Sequence, residues 1–199
     1  GPKVRARLDR HGFYPAGGGK MRVTIEPAPT LARLDLAAHV GGLRLRATAV
    51  IAHLPRHVAE RELKVLKREL DLDAEALRIE EVKSHGPGNA LFVSVESAQV
   101  VEVFTAFGEA GVRAEAVAHQ LAKDVERYLD AGVPVGEHLA DQLLLPLALA
   151  GGGSFVTLPL SSHARTNIEV LKLFLPVEVN CEPVSDAAVR VAVTRPAPS

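Results

Sequence analysis

Apolar and polar positions alternate from the third residue onward. Val4 and Ala6 sit between Lys3, Arg5 and Arg7, and Met21, Val23 and Ile25 sit between polar neighbours. A period of two marks strands, so residues 3–27 read as two strands around a turn at Pro15 to Gly19, closed by Pro27 and Pro29. The same alternation returns at Leu43, Leu45, Ala47, Ala49 and Ile51, with Arg44, Arg46 and Thr48 on the other face. Pro55 then opens a charged segment in which Leu63, Leu66 and Leu70 recur at helical spacing, predicting a helix to about Leu70. Leu77 to Val82 and Ala90 to Val95 read as strands separated by the turn-forming Gly86-Pro87-Gly88-Asn89. Val100 to Phe107 reads as a strand, or a strand leading into a turn.

Arg113 to Leu129 carries the clearest helical stripe, Val117, Leu121, Val125 and Leu129, stopped by Gly132 and Pro134. Glu137 to Ala150 predicts a buried helix bent near Pro146, with Gly151 to Gly153 ending it. Phe155 to Leu160 reads as a strand, Asn167 to Phe174 as a short helix stopped at Pro176, Ala188 to Val193 as a last strand, and Pro196 to Ser199 as a frayed tail. No fixed-period repeat is visible. Hairpins mixed with helices imply α+β layers.

Composition narrows the class without naming a function. The chain has 199 residues, 47% hydrophobic and 24% charged, with a net charge of −1, so any nucleic-acid contact must rest on a local cluster of cations. Cys181 is the single cysteine, which excludes an internal disulfide and a cysteine zinc cluster. The longest uncharged apolar run, Leu143 to Phe155, falls short of the roughly 20 residues that span a bilayer. No signal peptide is recognised at the front, and the expectation is a cytoplasmic protein with no membrane partner.

Chemistry concentrates in Ser161-Ser162-His163-Ala164-Arg165-Thr166-Asn167-Ile168-Glu169. Thr166 and Glu169 have capping-box spacing, which starts a helix near Asn167 and leaves His163 in the loop before it. Free N–H groups at a helix start attract phosphate, and a histidine there can attack phosphorus or carry a phosphoryl-type adduct. Arg165 can add a fork for a phosphate oxygen. The plainer reading is a surface histidine beside a well-capped helix. His138 and Asp141 share a helix face with Gln142 beside them, either to read a base or ribose edge or as the wetter side of an amphipathic helix. Gly17-Gly18-Gly19 lacks the Lys-Ser/Thr of a phosphate-binding loop and reads as a left-handed turn. His53 and His57 have metal-pair spacing, but Pro55 between them and the lack of a third ligand argue against a site.

Longer stretches carry a resemblance. Arg10-His11-Gly12-Phe13-Tyr14-Pro15-Ala16-Gly17-Gly18-Gly19 is similar to a signature of the RNA 3′-terminal phosphate cyclases. Gly136-Glu137-His138-Leu139-Ala140-Asp141-Gln142, followed by His163-Ala164-Arg165-Thr166-Asn167, resembles that family's GE-x-LADQ and H-x-x-TN segments. Pro55 to Glu62 and Gly86 to Asn89 match in the right order. The resemblance implies ATP-dependent conversion of an RNA 3′-phosphate to a 2′,3′-cyclic phosphate. It makes His163 the catalytic residue that accepts AMP, with Mg²⁺ on the triphosphate. It also places Asp141 and Gln142 at the nucleotide-binding pocket, with His138 standing where the family often has tyrosine. Because only unprotonated imidazole is nucleophilic, acidification should weaken the first step.

The implied architecture is a partial core of βαβαββ-type repeats, similar to the cyclases and to EPSP synthase, with an inserted small α/β domain. Residues 1–39 would be a core segment, 40–134 the insert and 135–199 the core segment bearing the histidine. The family's earlier repeats, with an EGGGQ segment and phosphate-holding arginines, do not occur in this sequence. The expectation is therefore a fragment, one piece of a split protein or a truncated relative that is incomplete for cyclisation. Its partners would be RNA 3′-phosphate ends, ATP, and either the missing repeats or another copy of the chain. The competing expectation is a non-catalytic cyclase-like protein, acting as an RNA-processing scaffold or an interaction module.

Overall fold

The computed structural model describes residues 1–195. The first element is a hairpin of β1 (Lys3–Arg10) and β2 (Lys20–Glu26), antiparallel from Lys3 opposite Glu26 to Arg10 opposite Lys20. Its side chains, including Val4, Met21 and Ile25, are exposed on both faces. Gly17 and Gly18 take positive φ in the connecting turn, as expected for a left-handed bend.

Two layered units follow the hairpin. In one, β4 (Arg44–Ala52), β5 (Leu77–Glu81), β6 (Gly88–Glu96) and β7 (Val101–Phe107) form a sheet in the order β5-β4-β6-β7. β4 runs parallel to β5 and antiparallel to β6, and β6 pairs antiparallel with β7. Helices α1 (Arg56–Glu69) and α2 (Ala114–Ala131) cover one face of this sheet. The strand alternation decides which face. Ala47, Ala49 and Ile51 of β4 and Leu91, Val93 and Val95 of β6 point at Leu66, Leu121 and Val125 of the helices. Arg61 and Glu115 tie the two helices through a two-pronged contact at 2.7 and 2.6 Å, which holds the Glu115 carboxyl down at about 2.

In the other unit, β3 (Leu34–Leu36), β8 (Gly152–Thr157), β9 (Glu178–Ser185) and β10 (Ala188–Thr194) form a sheet in the order β3-β8-β10-β9. Helices α3 (Glu137–Leu149) and α4 (Ser162–Phe174) pack against it, burying Leu144, Leu147, Ile168 and Leu171 around Phe155 and Val191. The two units are not separate bodies. Leu158 and Ala188 of the second join the core of the first, and buried Tyr128 of α2 donates to the carbonyl of Pro134 at 3.3 Å.

Several sequence expectations need correction. β8 begins at Gly152 rather than Phe155, so only Gly151 ends the helix while Gly152 and Gly153 open the strand. β3 and β9 were not anticipated. β3 has only three residues, and β9 is an edge strand in which Val179, Cys181 and Pro183 alternate with Glu178, Asn180 and Glu182, although all of them but the half-buried Val179 are exposed. α4 begins at Ser162, well before the start near Asn167 that its spacing predicts. The tail expected at 196–199 lies outside the described residues.

Glu62 on α1 points inward and is fully buried beside Asn89, whose amide donates to Oε2 at 2.9 Å. Oε1 of Glu62 and Oδ1 of Asn89 are buried without partners. Burial pushes the Glu62 carboxyl above its usual range, against smaller downward pulls from Asn89 and Arg61. A carboxyl raised in the folded state binds protons more tightly there than in the unfolded chain. Stability therefore falls as pH rises from the ordinary glutamate value through the folded one. Glu62→Gln removes the charge and supplies a donor for the orphaned Oδ1 of Asn89. Urea unfolding should show the variant more stable by on the order of 1 kcal/mol at pH 7.5, with the gain shrinking toward pH 5.

Candidate active site

The site forms where α3 and α4 start. Ser161 precedes α4 in an extended conformation, and its Oγ accepts the Ala164 N–H at 3.2 Å. Ser161 is thus the cap, and the capping box of Thr166 and Glu169 does not form. Thr166 Oγ1 donates back to the Ser162 carbonyl at 2.9 Å, while Glu169 pairs with Lys172 at 2.9 Å. His163 accordingly sits inside the first helical turn instead of the loop before it, with its side chain 81% exposed. The first-turn position keeps it beside the free N–H groups that favour an anion.

Asp141 joins the two helices. Its Oδ2 lies 3.1 Å from His163 Nδ1, and its Oδ1 accepts the Asn167 amide at 2.9 Å. The same amide reaches the Asp141 carbonyl at 3.3 Å. Asn167 and His163 are four apart on α4, so both face one turn of α3. A neutral imidazole donating from Nδ1 to a carboxylate leaves the Nε2 lone pair outward, in the state a nucleophile needs.

His138 and Gln142 are exposed on the same side of α3 as Asp141, and neither side chain makes a hydrogen bond among the described residues. They offer free polar ends, while Asp141 is already engaged by His163 and Asn167. Arg165 Nε donates to the Leu160 carbonyl at 3.3 Å, which commits part of its fork to the chain itself.

The start of α3 is held from outside the helix. Glu102 on β7 is buried and accepts the Gly136 N–H, the group that opens α3. Burial raises its carboxyl above the usual range, while the Gly136 N–H and His138 pull it back down. Sequence reasoning missed Glu102 and missed Asn167 as the holder of Asp141. The signal for the first was present: Glu102 shares the inward register of Phe104 and Ala106 on a mostly apolar strand. The second needed two helices to be brought together.

The remaining candidates lie elsewhere. His53 contacts the Ser84 carbonyl at 2.9 Å, and no group of three or more His, Cys, Asp or Glu able to hold a metal occurs among the described residues. Gly17 donates its N–H to the Phe13 carbonyl at 2.7 Å, closing the hairpin turn. No helix among the described residues is long and apolar enough to cross a membrane.

The sequence model of the RNA 3′-terminal phosphate cyclase family matches residues 1–181. The chain belongs to the RNA 3′-terminal phosphate cyclase family. It is 50% identical over 192 residues to the RNA 3′-terminal phosphate cyclase of Koribacter versatilis (strain Ellin345), covering 93% of this chain and 54% of that protein. The cyclase of Salmonella enteritidis PT4 is 48% identical over 182 residues, covering 92% and 53%. That of Ectopseudomonas mendocina is 44% identical over 192 residues, covering 96% and 56%. The chain thus spans about half the length of these curated relatives.

The observed cap separates two substitutions in this cyclase-family chain. Ser161→Ala should lower thermal stability by about 1 kcal/mol through loss of the α4 cap. Thr166→Ala should cost clearly less, because its hydroxyl only bonds back along the helix. Equal losses in a denaturant titration would contradict this assignment of the cap.

Proposed function

We propose that the chain carries the histidine half of an ATP-dependent RNA 3′-phosphate cyclase, in which His163 becomes covalently linked to AMP. The observation that supports this most is the contact of His163 Nδ1 with Asp141, at the first turn of α4. In this reading Nε2 attacks the α-phosphorus of ATP, a nitrogen–phosphorus bond forms, and pyrophosphate leaves. An oxygen of the RNA 3′-phosphate next takes the adenylyl group and releases His163. The neighbouring 2′-hydroxyl then attacks the activated terminal phosphorus, loses its proton and expels AMP, leaving a 2′,3′-cyclic phosphate.

His163 supplies the nucleophile, and Asp141 fixes its tautomer and orientation, in the way an orienting carboxylate serves other histidines. Asn167 keeps Asp141 in place. His138 and Gln142 are the groups that would meet the adenosine, since their polar ends are free. The N–H groups at the start of α4 favour the charge that develops on the α-phosphate. The described residues do not offer a protein cage for Mg²⁺. In this reading Mg²⁺ would be held by the bound triphosphate and would neutralise its charge.

Residues 1–39 and 135–199 would form the core of the proposed arrangement, and 40–134 the insert. The exposed Leu145 and Leu149 of α3 and Leu173 and Phe174 of α4 support a further partner for this layer. That partner would be the part of the family's length this chain does not span, or a second copy of the chain.

Intact-mass measurement after incubation with ATP and Mg²⁺ tests the chemistry. Wild type should gain one AMP, His163→Asn none, and Asp141→Asn should gain it about 10- to 100-fold more slowly. A wild-type adduct that persists in His163→Asn would refute the assignment of the nucleophile.

A further inference from the structure

The hairpin signature at residues 10–19 does not touch the His163 cluster through any hydrogen bond among the described residues. It docks instead on the first sheet. The Phe13 ring lies directly over Gly88, so close that a Cβ there would fall 1.9 Å from the ring. Gly18 packs on His85 in the same way, and Ala16 on Gly86. These contacts fix the hairpin above the sheet face that α1 and α2 leave open. Between hairpin and sheet lies a cleft of about 680 Å³, within the size range of ligand sites.

The floor of the cleft follows from strand alternation. Arg46, Thr48 and Val50 of β4 and Phe92 and Ser94 of β6 face away from the helices, because their neighbours in sequence fill the core. Phe92 lies opposite Thr105, and Phe107 opposite Ala90. The two rings are thus diagonal neighbours across β6 and β7, a separation of roughly 7–8 Å. Phe107 is 63% exposed at the cleft edge.

Cations frame these rings. Lys20 comes from the hairpin and has no ion pair among the described residues, and Arg46 reaches Glu96 only at 3.9 Å. The one acid lining the cleft, Glu80, is turned to Arg78 at 3.0 Å. Arg10 also lines it, but its Nε is committed to the Gly18 carbonyl. In a chain of net charge −1, this is a local excess of positive charge beside stacking surfaces.

We infer that this cleft binds single-stranded RNA, taking unpaired bases on Phe92 and Phe107 and backbone phosphates on Lys20 and Arg46. The inference rests on the proposed RNA 3′-phosphate chemistry for its choice of polyanion. Aromatic side chains on an open sheet stack bases regardless of their sequence, and nearby cations follow the backbone. The cleft then holds RNA upstream of the end on which His163 acts.

The test is fluorescence anisotropy of the full chain with a short 5′-fluorescein single-stranded RNA ending in a 3′-phosphate, without ATP. Phe92→Leu keeps an apolar side chain but loses the flat ring and should weaken binding about tenfold, whereas Phe92→Tyr should retain it. Lys20→Ala combined with Arg46→Ala should make the slope of log affinity against log salt shallower by about 1.4, from two lost phosphate contacts. Lys123→Ala, on the helix side of the sheet, should leave affinity unchanged. Circular dichroism and thermal unfolding identify any variant that fails to fold. Wild type that binds no RNA, or cleft variants that bind as wild type does, would overturn the inference. So would variants that alter only self-association, because the cleft would then be a protein contact. Adduct formation at His163 is read separately by mass, so failure of the catalytic reading and failure of the cleft are distinguishable.

Discussion

The Asp141 carboxylate is the point on which the histidine site depends. One oxygen meets His163 and the other accepts Asn167, so a single side chain of α3 sets the position of two side chains of α4. His163 itself is exposed and has almost nothing else to hold it. A long-lived orientation at such a position needs a fixed partner, because an exposed side chain otherwise samples several rotamers. Asn167 provides the fixity by bonding both the side chain and the carbonyl of Asp141. The second bond matters physically: it ties the carboxylate's helix, and not only the carboxylate, to α4.

The position of α3 is in turn set by the neighbouring unit. Glu102 belongs to the first sheet, yet it satisfies the N–H that opens α3. Buried carboxylates are costly unless hydrogen-bonded, and free N–H groups at a buried helix start are equally in need of a partner. Each defect answers the other. Tyr128 repeats this device a few residues away, giving its hydroxyl to Pro134 from within the core of α2. Burial raises the Tyr128 hydroxyl well above its ordinary value, with Glu102 adding to the shift, so it remains a donor. The segment from Pro134 to Gly136 is therefore held by both the helix and the sheet of the first unit. Changes in that unit can reach His163 through α3 without any direct contact.

Much of this was legible in the sequence because period-two and helical patterns depend on one buried face. β4, α1 and α2 present such a face in their spacing, and β1 and β2 alternate in the same way although both of their faces are exposed. β3 is too short for this, since three residues cannot establish a period, and β9 alternates over Glu178 to Pro183 but carries a proline and buries none of its side chains fully. The start of α4 was misjudged for another reason. Thr166 and Glu169 have the spacing of a capping box, but Ser161 offers an equally good oxygen one turn earlier, and the earlier cap allows Ala164 to be buried. Local spacing cannot rank two adequate caps. Packing does so. The grouping of His138, Asp141 and Gln142 on one face followed from the helix period alone, while the pairing of Asp141 with His163 required the two helices to meet.

The charge balance looks unsuited to RNA only when it is averaged over the chain. Binding to a polyanion depends on cations within about a Debye length of the phosphates, roughly 8–10 Å in ordinary salt, and distant charges are screened. Most arginines here are spent on carboxylates: Arg61 on Glu115, Arg56 on Glu60 and Glu81, Arg33 on Asp35. Such pairs contribute nothing to the net charge and leave the surface elsewhere unaltered. Lys20 and Arg46 stand apart from this pattern, being weakly paired cations beside the half-buried Phe92 and the exposed Phe107 on the face of the sheet that the helices leave open. In the inferred binding, a chain of net charge −1 with most of its arginines paired gains specificity of place: RNA would not be attracted everywhere, and the strand would settle in the cleft where stacking adds to charge.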